Sequence, residues 1–306
     1  MLLRGEFIPI NGVTTFVRTW GKWIEEPLHD TKELILVLPG NPGVTSFYTT
    51  FLSRLYEDLN REIPIWIVGH VGHEEPSSDA IPPLSGNKDL FNISGQTKSK
   101  IEFIEKFIPS HVKVHLIGHS FGTCQSLNIL RNQKIKERLQ KCYLVFPTFE
   151  RRKGTKSAKA FDKMYLFYKT IGFILAILFS KIPRILRYFF FSIYLLVKGT
   201  RLEYVDSYVM AAEPGVMEKS IFLTNESNEV FNELDVNLLK ENIKLITLYY
   251  GAKDGWVPLN YFRDLKSRIP DIDARLDSNN MEHNFQFNSS ETMAYVLKDM
   301  INENRT

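Results

Sequence analysis

The stretch Lys113-Val-His-Leu-Ile-Gly-His-Ser-Phe-Gly122 decides the fold. Its first five residues are the short apolar run expected of a strand buried on both faces of a parallel sheet. Gly118-His119-Ser120-Phe121-Gly122 follows, and residues 121–131 then read as a helix. A G-x-S-x-G run between a buried strand and a helix is a nucleophile elbow. Ser120 sits on a sharp turn there, and Gly118 and Gly122 leave the room that side chains two positions either side would fill. The turn exposes the Ser120 hydroxyl near the positive end of the following helix.

Strands and helices alternate on both sides of this stretch. Upstream, residues 6–10 and 13–20 read as a hairpin across Asn11-Gly12, and Glu33-Leu-Ile-Leu-Val-Leu38 as a second buried strand. A helix over 46–59 carries Phe47, Phe51, Leu52, Leu55 and Leu59 on one face, and Pro64–Val68 is a further strand. Residues 71–93, rich in Pro, Ser, Gly and Asp, read as a long surface loop, followed by a helix at about 95–108. Downstream come strands at 142–146, 243–250 and 273–276 and helices at 259–267 and 289–303. The pattern predicts an α/β fold with a doubly wound, mostly parallel sheet. It is interrupted once: residues 1–149 and 236–306 form the core, and 150–235 a helical insert. Ligands in such sheets bind beyond the carboxyl ends of the strands.

A serine hydroxyl needs a general base, and the base needs a group to orient it. In this arrangement the partners follow in the order serine, acid, histidine. Asp254 lies in a Gly/Pro-flanked loop straight after the 243–250 strand. Of the seven histidines only His283 lies beyond both Ser120 and Asp254, in the loop before the last helix. Order and placement select Ser120, Asp254 and His283. Two backbone N–H groups complete the set as oxyanion donors. One is that of Phe121, after the serine; in the loop after Leu38, where Pro39 and Pro42 have none to give, the best candidate is that of Asn41, which follows the permissive Gly40. His70 and His73 have a spacing that suits metal, but no further ligand cluster joins them, so loop-ordering roles are expected and no metal or cofactor. Cys124, on the helix after the serine, is expected to pack as a small apolar residue. No phosphate-binding glycine loop is present.

Composition excludes whole classes. The chain has 306 residues, 44% hydrophobic and 24% charged, which is neither disordered, collagenous nor coiled coil. Two cysteines make no disulfide framework, and the first residues lack the apolar core of a secretory signal. The three N-x-S matches therefore read as chance. The net charge of +3 conceals a division: residues 151–201 carry +11 and the remainder −8. Within 161–200 lie eleven aromatic residues and two apolar segments of seventeen residues flanking Lys181-Ile-Pro-Arg184. On a helix, Ile182, Ile185, Leu186, Phe189, Ile193, Leu196 and Val197 share one face. Arg184, Arg187, Phe190, Phe191, Tyr194 and Lys198 supply cations and aromatics around it. That is the pattern of a helix lying in a lipid interface, with a cap over the active site as a compatible reading. Each segment is short for a bilayer crossing. An uncharged run between the cations does not suit nucleic acid.

Together, Leu38-Pro-Gly-Asn-Pro-Gly43, Val68-Gly-His-Val-Gly-His73, Leu116-Ile-Gly-His-Ser-Phe-Gly122, Tyr249-Tyr-Gly-Ala-Lys-Asp254 and His283 resemble the lipid droplet-associated hydrolase family of the α/β-hydrolase superfamily. The resemblance implies Ser120, Asp254 and His283 as the triad. It implies ester hydrolysis of neutral lipids such as cholesteryl esters or acylglycerols. It also implies attachment, through the central apolar segment, to the phospholipid monolayer of lipid droplets and the cytosolic face of the endoplasmic reticulum membrane. The alternative reading is a droplet-coating or tethering protein with weak or vestigial activity.

Overall fold

The computed structural model describes residues 3–75 and 81–305. Its strands are β1 Leu3–Ile10, β2 Val13–Trp20, β3 Glu33–Leu38, β4 Ile65–Val68, β5 Lys113–His119, β6 Leu139–Val145, β7 Ile246–Tyr250 and β8 Asp273–Leu276. They make one eight-stranded sheet in the order β1-β2-β4-β3-β5-β6-β7-β8. From β4 through β8 all neighbours in that order are parallel, while β2 pairs antiparallel with both β1 and β4. Asn11 and Gly12 both have positive φ, as the two-residue hairpin turn requires.

Helices cover both faces, which is why β3 reads as an unbroken apolar run. Leu34, Leu36 and Leu38 join the core under the helices Ile93–Phe107, Phe121–Leu130 and Leu259–Arg268. The intervening Ile35 and Val37 join the opposite core, under Thr49–Asp58 and Ser290–Asn302. The period of two thus feeds two cores from one strand. Parallel pairing brings Leu38 opposite Gly118 and His119 opposite Val145, so the strand ends that carry the functional loops lie side by side.

Strands β1 and β6 each start three residues before the sequence reading, at Leu3 and Leu139, and two further differences have a local cause. Strand β7 starts at Ile246 rather than 243, because residues 242–245 turn back on themselves, with Leu245 N–H donating to Asn242 O at 2.9 Å. The 71–93 loop contains a helical turn, Lys88–Phe91, held by burial of Phe91 among Val13, Val71 and Leu84. Residues 76–80 of that loop lie outside the described residues.

Between β6 and β7 the chain leaves the sheet. Its departure and return are pinned together: Arg151 N–H donates to Asn232 O at 2.9 Å, and Arg152 N–H to Phe231 O at 3.1 Å. Four longer helices lie between these points. Lys156–Ser180 is one helix of 25 residues, about 37 Å long. Thr155 caps it through Ala158 N–H, and its turn at Tyr168–Gly172 is widened. It exceeds the seventeen-residue apolar segment because polar residues from Lys156 continue into it. By length and composition alone it could cross a membrane. Arg184–Lys198 follows, ended by Gly199 in the left-handed conformation, and then Val205–Ala211 and Pro214–Val230.

The aliphatic face of Arg184–Lys198 points away from the protein, with Ile185 77% and Val197 81% exposed. Arg184, Phe189, Phe190, Tyr194 and Lys198 are exposed too. Arg187 and Phe191, expected among the lipid-facing groups, are turned inward. At four-residue spacing they share a face with the fully buried Leu195. Arg187 pairs with Glu213 at 2.5 Å, and Phe191 packs on Phe179 and Tyr208.

Candidate active site

Ser120 has φ 50° and ψ −117°, a strained conformation for a residue with a side chain, costing about 1–3 kcal/mol. The surrounding structure imposes it. Ser120 N–H donates to Val145 O at 3.0 Å, anchoring the turn to the end of β6. A Cβ at Gly118 would lie 2.6 Å from Gly122 O, and one at Gly122 would collide with the Leu38 carbonyl. The glycines are therefore required by close backbone approach.

Asp254 and His283 reach Ser120 from the loops after β7 and β8. The turn after Tyr250 directs Trp256 N–H and Val257 N–H onto Asp254 Oδ1, at 2.7 and 3.2 Å. The other oxygen, Oδ2, accepts from His283 Nδ1 at 2.6 Å, and the Asp254 side chain is fully buried. With its Nδ1 proton committed to Asp254, His283 presents a lone pair on Nε2. The Ser120 hydroxyl donates to it at 2.8 Å. Asp277 shapes the loop that carries His283 by accepting from Asn279 and Met281 N–H at 2.9 and 2.6 Å.

The loop after β3 lies over the serine; a Cβ at Gly40 would stand 3.2 Å from that of Ser120. The backbone N–H groups of Asn41 and Phe121 have no acceptor among the described residues. The Asn41 side chain is anchored to the helix Pro214–Val230: Nδ2 donates to Ser220 O and Thr224 Oγ1 at 2.9 and 2.6 Å, and Oδ1 accepts from Ser220 Oγ at 2.9 Å. His70 and His73 buttress the loop from below. Gly43 N–H donates to His73 Nδ1 at 3.0 Å, and the His70 ring lies between Gly43 and the Phe121 ring. Burial keeps both rings neutral, pushing His73 down to about 3 and His70 well below its ordinary value.

Three residues that the sequence reading passed over belong to this site. His119 donates from Nε2 to the carbonyl of His283, and its Nδ1 faces the Tyr48 hydroxyl, which accepts from Gly40 N–H. Arg152 lines the cavity of about 350 Å³ in front of Ser120 and His283. Nothing in the local pattern marks any of them; Arg152 is hidden in the run of cations around it. Cys124 is buried, and burial pushes its thiol up to about 12.

Strand order, nucleophile elbow and flanking loops define an α/β-hydrolase. A serine hydrolase structure from the bacterium Cycloclasticus zankles superposes with a TM-score of 0.65 at 18% identity, over 98% of each chain. The model of the lipid-droplet associated hydrolases matches residues 31–286. Proteins called lipid droplet-associated hydrolase in Drosophila melanogaster and Homo sapiens are 38% and 28% identical, over 98% and 97% of this chain and 98% and 94% of theirs. The chain belongs to the lipid-droplet associated hydrolase family.

Proposed function

We propose that this protein is a carboxylic ester hydrolase working at a lipid surface, with Ser120 as nucleophile, His283 as general base and Asp254 as its orienting partner. The observation that carries the reading is the relay of 2.8 Å from Ser120 to His283 and 2.6 Å onward to Asp254. Ser120 Oγ bonds to the ester carbonyl carbon as His283 Nε2 takes its proton. The oxyanion forms against the N–H groups of Asn41 and Phe121. The carbon–oxygen bond to the alcohol then breaks, and His283 returns the proton to the leaving alcohol. Water, deprotonated by His283, releases the fatty acid and restores the serine.

The exposed apolar faces of Lys156–Ser180 and Arg184–Lys198 support attachment to a lipid monolayer, with the basic residues of that segment facing anionic headgroups. Droplet surface and the cytosolic face of the endoplasmic reticulum fit this chemistry. Phe47, Phe161, Tyr208, Trp256 and Phe287 line the cavity and suit an acyl chain, making acylglycerols and cholesteryl esters the reference substrates.

Purified protein should label with a fluorophosphonate probe. Labelling should vanish in Ser120→Ala and slow by about a thousandfold or more in Asp254→Asn. Wild-type protein that does not label would overturn the hydrolase reading.

A further inference from the structure

Arg152 stands at the base of the excursion between β6 and β7, and its guanidinium has no hydrogen-bond or ion-pair partner among the described residues. Its Nε and Nη1 are buried with no hydrogen bond, and it has no ion pair among the described residues. The adjacent Arg151 shows what a structural arginine does here, pairing with Glu150 at 2.6 Å and Asp264 at 2.8 Å. Arg152 instead lies over the Trp256 ring, 4.5 Å from its centroid, and is 5% exposed. Burial lowers its pKa to about 10, so it remains charged at neutral pH. Among the described residues Cys124 is the one group whose charge would favour it, and that thiol stays neutral. Among the described residues, none that lines its cavity is Asp or Glu.

An unpaired buried cation is costly unless something else supplies its counter-charge. The group that can do so must enter the cavity that Ser120 also lines. We infer that Arg152 binds an oxyanionic group of the ligand, so that the site takes lipid esters bearing a phosphate or carboxylate ahead of neutral ones. A guanidinium fork receives either group through two parallel N–H donors. This deepens the hydrolase reading and rests on it for turnover, though not for binding.

Binding is tested without chemistry. Full-length Ser120→Ala protein is titrated at neutral pH with hexyl phosphate, hexanoate and hexanol, following tryptophan fluorescence, because the guanidinium lies on Trp256. At least one anion should bind roughly tenfold to a hundredfold more tightly than hexanol. Adding Arg152→Gln should abolish that preference, and Arg152→Lys should retain part of it. If all three ligands bind alike, or the preference survives in Arg152→Gln, the inference falls. Should Arg152→Gln fail to fold, the comparison of anion with alcohol in the parent still decides. The preferred anion identifies the source: hexyl phosphate points to a glycerophosphate headgroup, hexanoate to a fatty acid or dicarboxylic ester.

In active protein, kcat/KM for an acylglycerol phosphate against the matching monoacylglycerol should show the same preference, again lost in Arg152→Gln. Fluorophosphonate labelling without anion preference defeats this inference alone. Anion preference without labelling defeats the hydrolase reading alone.

Discussion

His119 Nε2 lies 2.9 Å from the carbonyl oxygen of His283. A carbonyl only accepts, so Nε2 carries the ring proton and Nδ1 is an acceptor. The Tyr48 hydroxyl, 2.6 Å away, donates to Nδ1 and accepts from Gly40 N–H at 2.7 Å. Burial and the neighbouring His283 push His119 down to about 3, so this polarity holds at neutral pH. The residue before Ser120 thereby joins the loop over that serine to the backbone of His283, the serine's hydrogen-bond partner.

Cutting that link should slow catalysis while leaving Ser120, His283 and Asp254 in place. His119→Ala should lower kcat by about a hundredfold, the scale of a small misplacement of reacting groups, with KM changing less. Tyr48→Phe leaves the Gly40 N–H buried without its acceptor and should cost about 1–3 kcal/mol of stability. Steady-state kinetics and urea denaturation check the two. An unchanged kcat in His119→Ala would show that His283 is held by other contacts.

Acid should expose the buried histidines. His73 is pushed down to about 3 by burial, then by Lys219 and Lys100. Its folded pKa is below the unfolded value near 6.5, so between those values the unfolded chain binds the extra proton. The contribution is complete above about pH 6.5 and is lost as pH falls towards 3, by about 1.4 kcal/mol per pH unit. Glu74, raised to about 7 by burial, takes up a proton in the folded state and offsets part of the acid loss in the whole protein. The comparison with His73→Gln isolates the histidine. Below pH 6.5 the wild type should lose stability more steeply than the variant by that slope. Parallel curves from denaturation at pH 7 and pH 5 would contradict the assignment.

Attachment to lipid should depend on the outward face of Arg184–Lys198 and leave the fold intact. Ile185, Leu196 and Val197 are 77%, 63% and 81% exposed. Changing all three to Asp should reduce co-flotation with phospholipid-coated triolein droplets by at least about a hundredfold, given roughly 1.5–3 kcal/mol per buried aliphatic side chain. Thermal stability in solution should change little. By contrast, Leu195→Asp places a charge at a fully buried position and should destabilise the protein. Undiminished flotation of the triple variant would show that another surface makes the contact.

The sequence is most informative where function depends on local constraint. The elbow is readable because close approach demands glycine at 118 and 122, and Asp254 and His283 because their loops follow strands. Strand β3 is readable because burial on both faces leaves no polar position in Leu34–Leu38. The link from Gly40 through Tyr48 and His119 to His283 spans contacts between distant positions, which leave no periodic mark. The excursion between β6 and β7 is legible in kind and less so in detail. Its composition suggests an apolar face, but whether Arg187 and Phe191 join that face depends on where Leu195 docks. Arg152 stayed hidden for a related reason: the run Arg151-Arg152-Lys153 looks uniform, and only packing separates the paired arginine from the unpaired one.

The backbone bonds from Arg151 to Asn232 and from Arg152 to Phe231 set entrance and exit of the excursion side by side. With both ends clasped, the chain between them can vary in length without pulling β6 and β7 out of register. The fold thereby separates two tasks: outer helices that turn apolar side chains to the exterior, and a sheet end that holds a hydroxyl and an imidazole at hydrogen-bond distance.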